Sequence, residues 1–247
     1  MTETASQKRA EQGGGTAGQG LSGPIVAAPA AGEGGAVAGV RGRPRAAPAA
    51  RAERRRAILD AALAEFAAHG FAVTRLDDVA RRAGVAKGTL YLYFSDKEAL
   101  FRALVEENIS SVLLDADTLV SRFPGTTRDL LERLMALMAD RVLDAPAAAL
   151  VRLMLGEGAR FPELAAFYHR EVVSHGLALI RQVARRGLDR GELSNDLAVR
   201  FPHLVVAPAI LAVVWNGVFD AVDPLDARAL LAAHRDLLLA GLGWRDA

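Results

Sequence analysis

The sequence predicts an all-α protein, and three of its features carry that prediction. Hydrophobic residues make up 51% of the 247 residues, while aromatic residues make up only 6%. Ala and Leu, which favour helix, therefore supply most of the core-forming material. From Ala49 onward apolar residues recur at spacings of three and four, the period of one helix face. No stretch alternates apolar and polar residues for long enough to indicate a strand.

The helices can be placed in order along the chain. Ile58, Leu59, Ala62, Leu63 and Phe66 form one apolar stripe of a first helix. Gly70 stands where such a helix ends in a left-handed residue. Thr74 is predicted to cap a short second helix together with Asp77, and Gly84 ends it.

A third helix is predicted over about 87–93, and Ser95 is predicted to cap a fourth that continues to about Val120. Further helices are expected over about 127–144, 146–158, 162 to 187 or 191, 196–220 and 224–241. In the fourth of these, Asp196 is the expected cap, and Pro202 and Pro208 are expected to kink the helix.

Composition divides the chain into three segments. Residues 1–50 hold 11 of the 23 glycines and 4 of the 10 prolines, and they bury too little apolar surface to offset the entropy of ordering. We expect a disordered tail over 1–50 with a basic end, a small helical domain over 51–97, and a helical bundle over 98–247. The longest apolar run, 204–215, contains a proline and falls short of the roughly 20 residues of a membrane span. We therefore expect a cytoplasmic protein without a membrane partner.

The charge of the chain is unevenly distributed. Its formal net charge is +1, but residues 41–97 contain 12 Lys and Arg against 6 Asp and Glu, whereas residues 98–247 contain 16 against 20. This asymmetry indicates that only the first part meets a polyanion. The chain has no cysteine, which excludes a disulfide framework and a Cys-ligated zinc site.

Residues 74–94 have the pattern of a helix-turn-helix. Two short helices flank the turn Gly84-Val85-Ala86, where glycine permits the positive φ of a tight corner. Such a unit presents its second helix to the DNA major groove. Side-chain chemistry gives the candidate DNA-binding residues: Lys87 and Lys97 for phosphate, Gly88 for close backbone approach, Thr89 for phosphate or a thymine methyl, and Tyr91 and Tyr93 for phosphate oxygens.

Several short segments between residues 51 and 109 stand at fixed spacings: Ile58-Leu-Asp-Ala-Ala, Phe66…Gly70-Phe, Thr74, Asp78-Val-Ala, Ala83-Gly-Val, Lys87-Gly-Thr-Leu-Tyr and Tyr93-Phe…Lys97-Glu-Ala-Leu. Together they resemble the N-terminal domain of the tetracycline-repressor (TetR) family. The resemblance implies a homodimeric transcription regulator that binds a palindromic double-stranded DNA operator and is released by a small-molecule ligand in its C-terminal bundle. It also implies that Thr74 faces DNA and that Arg43 and Arg45 form a basic arm. Ala86 departs from the family, which usually has a polar residue there, and so removes a helix cap.

The C-terminal half carries a weaker resemblance. Arg160-Phe-Pro-Glu-Leu…Phe167-Tyr-His-Arg before a long helix is similar to the acriflavine-resistance-repressor-like (AcrR-like) branch of the family. The resemblance implies dimerisation through the last two long helices. Candidate ligand-site residues, each of which plain core packing also explains, are Met135, Met138, Arg152, Phe167, Tyr168 and Trp215. Arg152 lies on an otherwise apolar helix and, if buried, needs a partner such as an internal carboxylate.

Other classes of function fit the sequence less well. Glu65 and His69 stand four residues apart, as do Glu171 and His175, but a metal site needs a third converging ligand. We predict no metal and no cofactor. An enzyme would need a di-metal Glu-x-x-His pair, a nucleophile elbow or a phosphate loop, and the sequence has none. A helical hairpin without DNA contact and a non-specific architectural DNA binder remain the alternatives, and the acidic C-terminal half argues against the latter.

Overall fold

The computed structural model describes residues 48–143 and 145–244, which fall in one compact unit. The predicted basic arm with Arg43 and Arg45, and nearly all of the predicted tail, lie outside the described residues. The helices are α1 Pro48–Val73, α2 Leu76–Arg82, α3 Lys87–Tyr91, α4 Lys97–Arg122, α5 Thr127–Val142, α6 Ala145–Glu157, α7 Pro162–Tyr168, a π turn His169–Val173, α8 Ser174–Asp189, α9 Leu197–Arg200, α10 His203–Phe219 and α11 Ala227–Gly241. The predicted all-α class is confirmed.

One hydrophobic cluster, here called the first core, joins the helix-turn-helix to the bundle. It is built from buried side chains of α1 to α4, and it also takes in Leu150 of α6 and Leu164 of α7. The ring of Phe71, at the end of α1, packs 4.9 Å from that of Phe161, which precedes α7. The DNA-side helices are thereby packed directly against α6 and α7.

A second hydrophobic cluster, here called the second core, holds the far half of the bundle together. It combines the end of α4 with α5, α8, α10 and α11, and Leu130, Ile180, Val205 and Leu242 are among its most buried side chains. α4 begins at Lys97 and contributes side chains to both cores. The predicted domain boundary between residues 97 and 98 therefore falls at the start of a helix that both cores share, and it stays a prediction.

Two predicted helix caps are wrong. The cap of α2 is Arg75, without a side-chain hydrogen bond, because the Thr74 hydroxyl instead donates to the carbonyl of Gly70 at 2.8 Å. The cap of α4 is Asp96, whose carboxylate accepts from the Ala99 N–H at 2.7 Å, one residue after the predicted Ser95. A carboxylate there also lies favourably toward the positive helix end.

The predicted helix over 196–220 is also wrong, because it is two helices. α9 ends at Arg200 and α10 begins at His203, since Pro202 has no N–H to continue the ladder. Pro208 by contrast lies inside α10. Asp196 precedes α9 but makes no capping hydrogen bond with its side chain. No helix in the described part of the chain is both long and apolar enough to cross a membrane.

Candidate DNA-binding surface and ligand cavity

The turn between α2 and α3 is fixed by one glycine and a small apolar core. Gly84 has φ 66°, the left-handed conformation predicted for the corner. The Val85 N–H donates to the Ala80 carbonyl at 3.0 Å, which closes the turn. Val79 and Leu90 are fully buried, so each of the two helices is anchored from its inner side. The outer side of α3 is left free to meet another molecule.

That outer side carries several of the predicted DNA-binding residues. Lys87, Gly88 and Tyr91 are exposed, and Thr89 and Tyr93 are half-buried. The space around Gly88 is open, with no atom within 4 Å of the position a Cβ would take. Gly88 leaves the α3 backbone uncovered between the Lys87 ammonium and the Tyr91 phenol, an arrangement that suits close approach to a DNA phosphate backbone. Ala86 lies in extended backbone before α3 and makes no side-chain cap, as its sequence predicts.

Lys87 is paired within the protein. Its Nζ lies 2.8 Å from Oδ1 of Asp77 on α2. The hydrogen bond and the charge of this carboxylate raise the pKa of Lys87 above its ordinary value, so the ammonium stays charged. A phosphate would compete with Asp77 for the same donor, and both partners are exposed enough for that exchange.

Thr74 follows α1, and Lys97 is the first residue of α4. The side chains of both donate hydrogen bonds to backbone carbonyls at the end of α1. Thr74 is only 4% exposed and its hydroxyl is satisfied by the α1 backbone. The half-buried Lys97 donates from Nζ to the carbonyls of Phe71 at 2.8 Å and Ala72 at 2.9 Å. A lysine at the carbonyl end of a helix satisfies groups that would otherwise lack donors. Their predicted roles at DNA stay predictions, and the contacts seen are structural.

The buried Glu65 also joins two elements. Its carboxylate lies 3.1 Å from Nη1 of Arg82 on α2 and 3.1 Å from Nδ1 of His69. The Glu65–His69 spacing noted in the sequence therefore belongs to an ion-pair cluster between α1 and α2. Among the described residues no group of three or more His, Asp or Glu is placed to hold a metal ion.

A cavity of about 460 Å³ lies between the two cores. Met154, Tyr168 and Val172 line it and also pack on the first core, while Leu134 and Ile180 line it from the second. Its remaining wall comes from α4, α5, α6, α8 and α10 and is mostly apolar. This volume and lining are typical of a site for a small organic molecule.

Two of the six candidate ligand residues, Met138 and Tyr168, line this cavity. Met135 and Phe167 do not, because their side chains are buried in the second and first cores. The indole N–H of Trp215 donates to the Asp223 carbonyl at 2.8 Å, away from the cavity.

The expectation for Arg152 is wrong. The residue is exposed rather than buried, and it therefore needs no internal carboxylate. Its side chain lies beside Gly217 of α10, close enough that a Cβ there would come within 2.5 Å of Cδ. Arg152 thus packs along the outside of the α6–α10 contact.

Sequence reasoning missed most of the cavity wall. Val112 and Leu113 of α4 and Gly176 and Leu177 of α8 line it but were not among the candidates. Their spacing along the helices matches that of ordinary core residues, so sequence periodicity alone does not distinguish a residue that lines the cavity from one that packs in a filled core.

Four side chains bring polar groups to the cavity: Asn108, Arg141, Tyr168 and His203. The guanidinium of Arg141 lies 3.3 Å from Asp115, and the Asn108 amide donates to the Leu104 carbonyl at 2.8 Å. Burial raises the pKa of Tyr168 to about 12, so its phenol is uncharged at neutral pH.

A row of exposed apolar side chains follows α10. Leu204, Leu211 and Val218 stand seven residues apart and are 44%, 50% and 66% exposed, and Leu237 on the neighbouring α11 is 72% exposed. Seven residues are close to two helical turns, so the three side chains form one stripe. An apolar stripe of this kind marks an interaction surface.

Two family models match the chain. The model of bacterial regulatory proteins of the tetR family matches residues 58–104. The model of the tetracyclin repressor-like C-terminal domain matches residues 124–234. The first match contains the helix-turn-helix and the second contains α5 to α10 and part of α11.

Curated relatives agree with these models. The chain is 32% identical over 160 residues to the HTH-type transcriptional repressor SCO4008 of Streptomyces coelicolor. The matched region covers 64% of this chain and 77% of that protein. The chain is 27% identical over 173 residues to the HTH-type transcriptional regulator AcrR of Shigella flexneri, covering 68% and 79% of the two chains. AcrR is the regulator after which the branch indicated by the C-terminal half is named, and the chain is similar to it.

Solved structures show the same fold. The fatty acid degradation regulator FadR from Bacillus halodurans matches with a TM-score of 0.66 and 25% identity, over 78% of this chain and 97% of that one. SmeT in its complex with triclosan matches with a TM-score of 0.65 and 22% identity, over 79% and 93%. With both family models, a repressor that matches over most of its length and this shared fold, the chain belongs to the TetR family of transcriptional regulators.

Proposed function

We propose that the protein is a homodimeric repressor that binds a palindromic operator through α3 and is released by a small molecule bound between its two cores. The cavity of about 460 Å³ carries this proposal. The first core holds the helix-turn-helix and the second holds the far half of the bundle, so a molecule in the gap acts on both. A ligand changes DNA affinity only if it binds two arrangements unequally, and a gap between cores changes in size when they move.

The α10 stripe supports the dimer. A second copy related by two-fold symmetry brings the same stripe of Leu204, Leu211 and Val218 against itself. Two recognition helices then read half-sites about one DNA turn apart, roughly 34–36 Å. This arrangement explains why a palindrome is the expected target.

Selection from a random DNA pool, followed by gel-shift titration, tests the DNA part. We expect a palindromic consensus bound about 10³-fold or more tighter than random DNA at moderate salt. Tyr91→Ala should weaken binding to every sequence, while Leu114→Ala, an exposed α4 position away from α3, should not. Equal affinity for random and selected DNA would identify a non-specific architectural binder instead.

Fluorescence of N-phenyl-1-naphthylamine, which rises in apolar sites, tests the ligand part. Gly176 lines the cavity, and no atom lies within 4 Å of its Cβ position, so Gly176→Leu should fit and fill the space. Its matched control is Ala178→Leu, exposed on the same helix. We expect Gly176→Leu to lose probe binding and Ala178→Leu to keep it. If both variants bind the probe equally, the cavity is not its site.

A further inference from the structure

The Tyr168 phenol is a partly buried polar group at the cavity that makes no hydrogen bond to the described residues. Its ring lines the cavity, and among the described residues no group lies within hydrogen-bonding distance of its hydroxyl. Arg141 is paired with Asp115 and the Asn108 amide donates to the Leu104 carbonyl. His203 also makes no hydrogen bond among the described residues, but it is exposed to solvent. The partly buried hydroxyl is therefore free to donate its proton to water or to a molecule bound in the cavity.

The π turn builds the wall around this phenol. Tyr168 ends α7, and the Ser174 N–H that follows the turn donates to the His169 carbonyl, the i to i+5 bond of a π-helix. Val172 and Val173 of this turn both line the cavity beside Tyr168. Single π turns inside α-helices are frequent at functional sites.

The charges around the cavity limit what it accepts. No Asp or Glu among the described residues lines it, so a cation meets no counter-charge. The guanidinium of Arg141 is compensated by Asp115 at 3.3 Å, and His203 lies exposed at the start of α10. An ion bound among the apolar side chains of the cavity would lose hydration, and Arg141, the one Lys or Arg among its described lining residues, is 42% exposed and already paired with Asp115.

We infer that Tyr168 selects the ligand, which is an uncharged, largely apolar molecule with a hydrogen-bond acceptor that receives the phenol proton. This inference rests on the proposed ligand site and names the chemistry of its occupant. The raised pKa keeps the phenol protonated throughout the physiological range, so it always donates. A carbonyl, ether or ester oxygen on an aromatic or alkyl body meets these requirements.

Displacement of N-phenyl-1-naphthylamine from the full-length protein by a matched pair of compounds tests the inference. 2-Acetylnaphthalene has a carbonyl acceptor, and 2-isopropylnaphthalene has nearly the same shape without one. We expect the acetyl compound to bind about two- to tenfold tighter than the isopropyl compound, the range of one hydrogen bond. In Tyr168→Phe, which keeps the ring, this ratio should fall to about one. A ratio unchanged by Tyr168→Phe overturns the inference.

A spectroscopic readout separates a hydrogen bond from a packing effect. The carbonyl stretch of bound 2-acetylnaphthalene, labelled with ¹³C at the carbonyl, should lie at lower frequency in the wild-type protein than in Tyr168→Phe. Tighter binding of 2-naphthoate than of 2-acetylnaphthalene would overturn the assignment of an uncharged ligand. If no naphthalene displaces the probe, or Gly176→Leu leaves probe binding intact, the proposed ligand site itself fails, and the inference fails with it.

Discussion

Gly70 produces a break inside α1, three residues before the helix ends at Val73. Its φ of 80° and ψ of 164° lie in a region that is almost exclusive to glycine. A Cβ there would also come within 2.5 Å of Oε1 of Glu157, although that flexible carboxylate can move aside. The backbone conformation is therefore the stronger constraint of the two.

We predict that Gly70→Ala lowers the free energy of unfolding by about 1–3 kcal/mol, the usual cost of such a conformation in a residue with a side chain. Gly176→Ala is the matched control, because Gly176 lies in a regular helix with open space around its Cβ position. The control should be neutral or stabilise by up to about 1 kcal/mol. Urea unfolding measures both, and equal effects of the two substitutions would contradict the prediction.

The two lysines predicted at DNA should behave differently when replaced. Lys97→Ala removes donors to the Phe71 and Ala72 carbonyls, so the free energy of unfolding should fall by about 1–2 kcal/mol. Lys87→Ala removes only an exposed ion pair with Asp77, so stability should hardly change. For the Lys87→Ala variant, the slope of log binding constant against log salt concentration should become smaller in magnitude by about 0.9 for each phosphate that Lys87 neutralises in the wild type.

Urea unfolding and gel shifts over a salt series separate these two effects. A Lys97→Ala variant as stable as the wild type would show that its carbonyl contacts are unimportant. If Lys87→Ala leaves the salt slope of DNA binding unchanged, Lys87 does not contact a DNA phosphate.

At the scale of elements, sequence reasoning succeeds where a single residue imposes its conformation. Turns are predicted at Gly84 and Gly70 because few other residues adopt positive φ, and both glycines do so. Prediction fails where several side chains compete for one backbone group. Thr74 has the chemistry to cap α2, but its hydroxyl donates to the nearby Gly70 carbonyl, which also accepts from the Thr74 N–H.

Other elements depend on contacts distant in the sequence. The π turn over His169–Val173 keeps one continuous helical rod from Pro162 to Asp189, so the predicted long helix is correct although its irregular turn gives no local signal. The cavity wall follows the same period as a filled core, and only the three-dimensional arrangement of helices reveals the gap. Met138 and Tyr168 are predictable because their size and polarity stand out, and Gly176 is not because it has neither.

The start of α5 is held by a residue from the other side of the bundle. Oε2 of Glu192 accepts from the Thr127 backbone N–H at 2.6 Å, and Arg190 lies 3.5 Å from the same carboxylate. Burial alone would raise the pKa of Glu192, but the hydrogen bonds from Thr127 and the charge of Arg190 outweigh it and lower the pKa below its ordinary value.

A carboxyl whose pKa is lowered by folding stabilises the protein above its unfolded pKa, and this contribution is lost as the pH falls through its folded pKa. We therefore predict that Glu192→Gln lowers the free energy of unfolding by about 1–2 kcal/mol at pH 7. The difference from wild type should diminish below about pH 4.5, the ordinary pKa of glutamate. Urea titrations at pH 7, 5 and 3.5 measure it, and a difference independent of pH would contradict the assigned role.

At the scale of the whole molecule, the proposed function assigns each part of the chain a different role. In this proposal α3 binds DNA, the cavity between the two cores binds the ligand, and the α10 stripe forms the dimer. The first core packs α3 together with α6 and α7. In the proposed mechanism, movement of the cavity wall would reach α3 through these packed side chains. The second core supports α10 and α11, and Leu204, Leu211 and Val218 of α10 and Leu237 of α11 remain exposed. A dimer formed through those faces fixes the distance between two recognition helices, which a lone subunit cannot do.

We predict that Leu237→Glu, which places a charge at a 72% exposed position of α11, makes the protein monomeric at micromolar concentration. Leu114→Glu is the matched control, because Leu114 is 66% exposed on α4, away from the proposed interface. Sedimentation velocity should show a dimer for the wild type and the control and a monomer for Leu237→Glu. Affinity for a palindrome should fall by about 10²-fold or more in the monomer, since the second half-site no longer binds at high effective concentration. A Leu237→Glu protein that stays dimeric and binds the palindrome normally would move the dimer interface away from α11.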